Sequence, residues 1–493
     1  MNNDISTLSF DGRAFVGGER VAARDGQTFD CLSPVDGRLL TQVARCGAAD
    51  IDAAVAAARA AFEDRRWAGK SPAQRKRTMI RFAELIEASG EALALTETLD
   101  MGKPVRYARG VDVRSAANCI RWYGEAVDKV YDEIAPTSDT ALALITREPV
   151  GVVGVIVPWN YPMIMAAWKI APALAVGNSV VLKPSEKSPL TALRLAELAL
   201  EAGIPPGVFN VVPGYGPEAG SPLALHMDVD CIAFTGSTRV GKQIHVMAGQ
   251  SNLKRAWTEL GGKSPNIVFA DCPDLDAAVE AAVGSIFFNQ GESCNAPSRL
   301  FVEASIKDAF VEKALAKVPA YQPGNPLHKD TVMGAIVDET QLATVLRYIE
   351  SGKSEGAKLL AGGERVAPVA GGCYVQPTIF DGVTNDMTIA REEIFGPVLS
   401  VLSFTDAADV VRQANASVYG LQAAVWTRDI NKAHGVARAL RAGTVHVNQY
   451  DEDDITVPFG GFRQSGIGRD KSLHAFDKYT EVKTTWIRID SPL

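Results

Sequence analysis

Paired cysteines are missing from this sequence. Its seven, Cys31, Cys46, Cys119, Cys231, Cys272, Cys294 and Cys373, are odd in number and form no CxxC. That argues against a disulfide framework and against a zinc knuckle, fits a reducing compartment, and leaves no metal expected. A basic excess is also lacking. Lys+Arg number 50 against 58 Asp+Glu, a net charge of −8, so no face suited to nucleic acid is indicated. No long apolar run occurs: the richest, "GVVGVIVPW" at 151–159, falls far short of the roughly 20 residues that span a bilayer. The opening "MNNDISTLSFDGRAF" has neither a basic nor an apolar region of a signal peptide, and a cytoplasmic protein is expected. Six histidines are scattered, none in a catalytic context, which weakens any cysteine–histidine protease reading. Repeats and low-complexity tracts are absent.

What is present is alternation. The 493 residues are too many for one ordinary core, so two or three domains are expected. "DIDAAVAAARAAFED" (50–64) and "TALRLAELALEAG" (191–203) have helical spacing, the second ending at a glycine. "PVGVVGVIVPW", "SVVLKPSE" (179–186), "CIAFTGS" (231–237) and "NIVFAD" (266–271) read as continuous apolar strands running into loops. Such strands between helices predict an α/β chain with parallel sheets covered on both faces. "LGGKSPN" (260–266) reads as a hinge between two such units. The tail "DKYTEVKTTWIRID" (477–490) alternates like a strand with no local partner.

Ligands of open α/β sheets bind beyond the carboxyl ends of the strands, and three such ends stand out. In "LKPSE", Lys183 and Glu186 are placed to hold a ribose. A carboxylate there repels a 2′-phosphate and favours NAD over NADP; an exposed ion pair in a turn reads the same way. In "FTGSTRVG" (234–241), Gly236-Ser237-Thr238 opens a helix that offers N–H groups to a phosphate, or is only an N-cap. In "PWNYP" (158–162), two prolines bracket Asn160 and fix it as a donor, or bound a plain loop.

Cys294 lies in "FFNQGESCNAPSR" (287–299), in a stretch suited to a tight loop. A helix is expected after it, whose N-terminus would stabilise the thiolate for attack on a carbonyl carbon. The base candidate is Glu259 in "TELGGKSP", where a strand breaks into paired glycines.

"PWNYP", "LKPSE", "FTGST", "ELGGKSP", "FFNQGESC", "EEIFGPV" (392–398) and "PFGGFRQSGIGRD" (458–470) occur in this order. Together they resemble the aldehyde dehydrogenase superfamily over essentially the whole chain. "LKPSEKSPLTALRLAELALEAGIPPGVFNV" and "GRDKSLHAFDKYTEVKTTWI" look most like its aminoaldehyde branch, whose members oxidise 4-aminobutyraldehyde, its γ-glutamyl derivative or 4-guanidinobutyraldehyde.

The resemblance implies two Rossmann-like doubly wound domains and a small β oligomerisation arm. The NAD-binding domain would span 1–131 and 151–262, the catalytic domain 263–473, and the arm 132–150 and 474–493, giving dimers or tetramers. It implies that Cys294 attacks the aldehyde, that Asn160 and the Cys294 N–H hold the oxyanion, and that Glu259 activates water against the thioester. Lys169 and Asp470 match positions proposed for proton removal, although many relatives carry Glu at the latter. For NAD, the implied residues are Ile156, Pro158, Trp159, Lys183, Ser185, Glu186, Gly216, Phe234, Ser237, Val240, Leu260, Gly261, Glu393 and Phe395. For substrate they are Tyr161, Met165, Trp168, Phe288, Asn295 and Phe459, with Asp453 of "YDEDD" (450–454) drawing a cationic end. Asn295, and Pro297 where relatives commonly have glycine, depart from the usual pattern. The alternatives are a broad-specificity aliphatic, aromatic or semialdehyde dehydrogenase, a CoA-acylating relative, a thiol hydrolase, or a catalytically silent protein on the same fold.

Overall fold

The structure, a computed structural model, describes residues 8–490. Residues 1–7 of the expected first domain and 491–493 of the expected arm lie outside the described residues.

Two sheets organise the chain. The first has eight strands in the order Glu19–Val21, Ala14–Val16, Phe209–Val211, Ser179–Lys183, Val152–Ile156, Cys231–Thr235, Arg255–Glu259 and Gly466–Ile467. Its five strands from Phe209–Val211 to Arg255–Glu259 are parallel. Val152–Ile156, Ser179–Lys183 and Cys231–Thr235 are buried at every position, as the unbroken apolar runs require of strands covered on both faces. Winding reverses between Val152–Ile156 and Cys231–Thr235, and a crevice beyond the carboxyl ends opens at such a switch point.

The second sheet runs Lys358–Ala361, Thr378–Asp381, Val398–Phe404, Arg299–Glu303, Pro265–Val268, Gln422–Trp426 and Thr444–Val447. All its pairs are parallel except the first. Residues 260–264 join the two sheets and are buried throughout. Gly466–Ile467, late in the chain, returns to the first sheet and pairs antiparallel with Thr258 and Glu259. Gly466 has φ +130, and a Cβ there would overlap the Thr258 carbonyl, so the strand approaches Glu259 only because it starts with glycine.

The tail finds its partner within the chain. Thr480–Arg488 pairs antiparallel with Ala141–Pro149 over nine residues, and Glu133–Ala135 completes a three-stranded sheet. Ala475, Phe476 and Tyr479, just before this strand, are buried in the main core.

Candidate active site

Six of the cysteines are buried, whereas Cys294 is half-buried and lines a pocket of about 900 Å³. The expected helix after it is not there. Residues 296–298 have no regular structure, and the chain enters the strand Arg299–Glu303. "RLFVE" is continuous and apolar enough to be a sheet interior, and Pro297 restrains Ala296 before it to extended backbone. No helix dipole therefore lowers the thiol. Burial pushes Cys294 well above the usual thiol range, and the Glu259, Glu393 and Asp451 carboxylates push the same way.

The loop is fixed from before the cysteine. The helix Leu275–Phe287 ends, and Asn289, Gln290 and Gly291 follow with φ of 49, 57 and 71. Two consecutive non-glycine residues in the left-handed region store strain of order 1–3 kcal/mol each. Side chains hold them there. Asn289 Nδ2 donates to the Asn160 carbonyl at 3.0 Å and to the Glu292 carbonyl at 3.2 Å. Gln290 Oε1 accepts from Gly334 N at 3.0 Å, and Glu292 Oε1 from Val337 N at 3.1 Å. Asn160 Nδ2 donates to the Glu292 carbonyl at 2.8 Å, which ties the "PWNYP" segment to the cysteine loop. Gly262 lies beneath: a Cβ there would come within 2.5 Å of the Cys294 carbonyl oxygen.

Glu259 ends its strand with its carboxyl buried, and its Oε1 has no hydrogen-bond partner. Burial first, then the Asp470 carboxylate, raises it well above the usual range. Lys169, on the helix Pro162–Val176, forms a buried ion pair with Asp470.

All seven residues expected around substrate line the pocket: Tyr161, Met165, Trp168, Phe288, Asn295, Asp453 and Phe459. Trp168 packs on Phe459 with ring centroids 5.2 Å apart, and Phe288 meets Tyr107 edge-on at 4.8 Å. Asp453, singled out for a cationic substrate, already binds the buried Lys471. Asp451 and Glu452 share that rim. Asn295 directs its amide onto Asp451 Oδ1 at 2.7 Å and Gln422 Oε1 at 3.2 Å, and Tyr450 donates to its carbonyl at 2.6 Å. The unusual residue beside the cysteine thus tethers the acidic rim. Nothing local in the sequence signals that, nor the parts played by Asn289, Tyr107 and Asp451.

The expected cofactor residues collect around the switch-point crevice. Ile156, Phe234 and Leu260 form one buried apolar cluster against which Val240 packs. Lys183 Nζ and Glu186 Oε2 pair at 3.1 Å. Ser185 and Ser237 each accept from a nearby backbone N–H, at 3.2 Å and 3.3 Å. The Ser237 hydroxyl therefore caps the helix Thr238–Gln250, and what it leaves for a phosphate is the helix's first backbone N–H groups. Glu393 Oε1 accepts from Gly262 N at 3.1 Å, and its carboxyl lies where a Cβ on Gly261 would be. Burial raises that carboxyl to about 7. Trp159 meets Phe395 edge-on at 5.1 Å, with Pro158 half-buried beside it. A Cβ on Gly216 would meet only open space. An acceptor at each end, an N–H cradle between them and aromatic edges fit a dinucleotide.

The aldehyde dehydrogenase family model matches residues 21–485. The chain belongs to the aldehyde dehydrogenase family. It is 52% identical over 485 residues to the NADP/NAD-dependent aldehyde dehydrogenase PuuC of Escherichia coli, covering 98% of this chain and 97% of that protein. Among solved structures, it resembles the Pseudomonas syringae indole-3-acetaldehyde dehydrogenase AldA in complex with NAD+ and IAA, with a TM-score of 0.97 and 61% identity. It resembles the Burkholderia cenocepacia γ-glutamyl-γ-aminobutyraldehyde dehydrogenase equally in fold, TM-score 0.97, at 60% identity. Each comparison covers 98% of both chains. Both relatives share the α/β architecture of an aldehyde dehydrogenase described above. Among the described residues, no helix is long and apolar enough to cross a membrane.

Proposed function

We propose that this NAD-dependent aldehyde dehydrogenase oxidises an aldehyde with a cationic end, an ω-amino or guanidino aldehyde, to the free acid. The supporting observation is one pocket that joins the Cys294 thiol to a rim bearing Asp451, Glu452 and Asp453. A relative named for γ-glutamyl-γ-aminobutyraldehyde adds weight.

The chemistry follows from the arrangement. Cys294 Sγ adds to the carbonyl carbon, and its proton passes to water in the pocket as the bond forms. Asn160 Nδ2 has one hydrogen on the Glu292 carbonyl and a second to give the oxyanion, alongside the Cys294 N–H. Bound NAD+ supplies a hydride acceptor. Lys183 and Glu186 would hold its adenosine ribose, the Ser237-capped helix start its pyrophosphate, and Glu393 and Phe395 its nicotinamide end. Glu259 takes a proton from the water that releases the acyl group from Cys294.

The deciding measurement is kcat/KM for 4-aminobutyraldehyde, 4-guanidinobutyraldehyde, indole-3-acetaldehyde, benzaldehyde and propanal. The cationic substrates should rank first. The aromatic lining, with Tyr107, Trp168, Phe288 and Phe459, supports a second reading, an arylacetaldehyde, which a top rank for the indole compound would establish.

Asp451 is the better candidate for the cation, because Asp453 is held by Lys471. Although the residue is exposed at the rim, its carboxyl is raised to about 6, chiefly because the pocket wall strips it of water, against the help of Asn295, Gln422 and Lys471. A raised acid is neutral below that value. The preference for amino over neutral aldehydes should therefore fall as pH drops from 8 through about 6, and Asp451→Asn should remove the pH dependence. An unchanged ratio across this range would refute the role.

Glu186→Gln should raise the NADP+ to NAD+ ratio of kcat/KM by roughly tenfold, since one repulsive charge at the adenosine ribose is lost. A ratio that stays put would remove the ribose assignment. The three-stranded sheet of Thr480–Arg488, Ala141–Pro149 and Glu133–Ala135 is the proposed contact with further copies. The domain limits proposed are 1–131 with 151–262, 263–473, and 132–150 with 474–493.

A further inference from the structure

Behind the pocket wall lies a buried ion pair that the chemistry above does not use. The helix Gly90–Met101 ends at Gly102, whose φ is +88; a Cβ there would come within 2.4 Å of the Ala335 carbonyl oxygen. Lys103 follows this turn. Its ammonium pairs with Asp112, and neither side chain is exposed. Asp112 belongs to a π-helical turn, Ala108–Val113, whose Gly110 and Val111 line the pocket. Glu97, also buried, faces Asp112. Burial first, then that carboxylate, raises Glu97 well above the usual range. The group thus holds one ammonium, one carboxylate and one neutral acid, and its charge balances. A buried ion pair adds little net stability, because desolvation offsets the attraction, so its presence asks for another role.

The other side of the ammonium supplies one. Lys103 Nζ lies 4.0 Å from the centroid of the Tyr161 ring. A cation over a ring face is attracted by the ring quadrupole, more firmly where both are out of water. Lys103 therefore holds the ring at its face. Ser293 holds it at its tip, where the Tyr161 hydroxyl and Ser293 Oγ share a hydrogen bond of 2.6 Å. The partners of that bond stand next in the chain to the two oxyanion donors. Tyr161 follows Asn160, and Ser293 supplies the carbonyl half of the peptide whose N–H is that of Cys294. A shift of either partner would turn a donor away from the oxyanion.

We propose that Lys103 is a positioning residue: through the Tyr161 ring and the Tyr161–Ser293 hydrogen bond, it sets the spacing between the Asn160 amide and the Cys294 N–H. This rests on the reading of those two donors given above. No bond forms or breaks at Lys103, and it stays an ammonium throughout. The same two donors meet both oxyanions, the one formed when Cys294 attacks and the one formed when water attacks. Donors set wrongly slow both steps and leave the NAD+ crevice alone.

The test follows the acyl group on Cys294. Four variants join the wild type: Lys103→Met with Asp112→Asn, Tyr161→Phe, all three changes together, and Lys103→Gln. Each is mixed with NAD+ and either 4-aminobutyraldehyde or propanal, quenched at intervals and weighed intact. Changing Lys103 and Asp112 as a pair leaves no lone charge buried. That pair and Tyr161→Phe should each slow acyl formation and decay together, by roughly 10- to 100-fold, the cost of a displacement of about 1 Å in a reacting geometry. The triple variant should be no slower than the slower of the two, because all the changes act through one contact. NAD+ affinity by calorimetric titration should stay within about threefold of wild type. Wild-type rates in the Lys103 pair, losses that multiply in the triple variant, slowing of one step alone, or NAD+ affinity that falls with the rates each overturn the proposal. Lys103→Gln still donates to Asp112 but brings no charge to the ring, and it is read in the same way where the pair fails to fold. Asn160→Ala with acyl formation at the wild-type rate, or no acyl mass in wild type, overturns instead the reading of the oxyanion donors and Cys294.

Discussion

With Cys294 replaced by alanine, NADH formation from every aldehyde is expected to fall by at least roughly 10⁴-fold. The loss is this large because the pocket offers no substitute. Ser115 and Ser285 also line it, but among the described residues neither hydroxyl is hydrogen-bonded to a base, and Tyr161 shares its hydroxyl with Ser293 at 2.6 Å. The alanine should be tolerated. The Cys294 sulfur accepts from the Asn295 backbone N–H, but the loop is held by Asn289, Gln290 and Glu292 rather than by the thiol. NAD+ affinity, measured by calorimetric titration, should stay within about threefold of wild type, because the crevice residues are untouched. Turnover that survives the substitution would remove Cys294 as nucleophile. Lost affinity together with lost turnover would mean that the loop had collapsed.

Glu259→Gln is expected to separate the two halves of the reaction. The amide matches the carboxyl in size and stays at the end of its strand, so acylation of Cys294 should proceed. One equivalent of NADH per chain should appear quickly, and steady turnover should then run roughly 10²- to 10⁴-fold below wild type, the range that a general base contributes. Rapid-mixing absorbance at 340 nm reads both phases. Because hydroxide also hydrolyses a thioester, the slow phase should recover in part as pH rises. A burst that shrinks in proportion to the steady rate would place Glu259 in acylation instead.

The parallel strands of the first sheet were legible in the sequence because burial on both faces writes an unbroken apolar run, as in "CIAFT" and "SVVLK". The groups proposed to react were singled out through their resemblance to a family, which carries non-local information that spacing alone does not. Cys294 and Glu259 are 35 positions apart, and only the buried connection 260–264 with Gly262 under the Cys294 carbonyl brings them into one neighbourhood. The helix expected after Cys294 failed for a physical reason: "NAPSRLFVE" begins polar like a cap, but its apolar run belongs to a sheet interior. Lys478 was illegible. In "FDKYTEVK" it reads as one more charge on an alternating strand, and only the folded chain turns it inward onto Asp470 while Lys483 stays outside on Glu148. Asn295 was visible as an oddity, yet its partner Asp451 lies 156 residues away.

The strand Thr480–Arg488 forms one margin of its three-stranded sheet, with a free row of backbone groups and Val482, Trp486 and Ile487 in the open. Trp486, at 66% exposure, is the most accessible of the seven tryptophans. Its indole therefore serves as a built-in optical gauge. Emission from a lone chain would be red-shifted by water, and any neighbour that covers this strand would move it to the blue. Serial dilution in a fluorimeter, with no label attached, would thus test the proposed contact between copies.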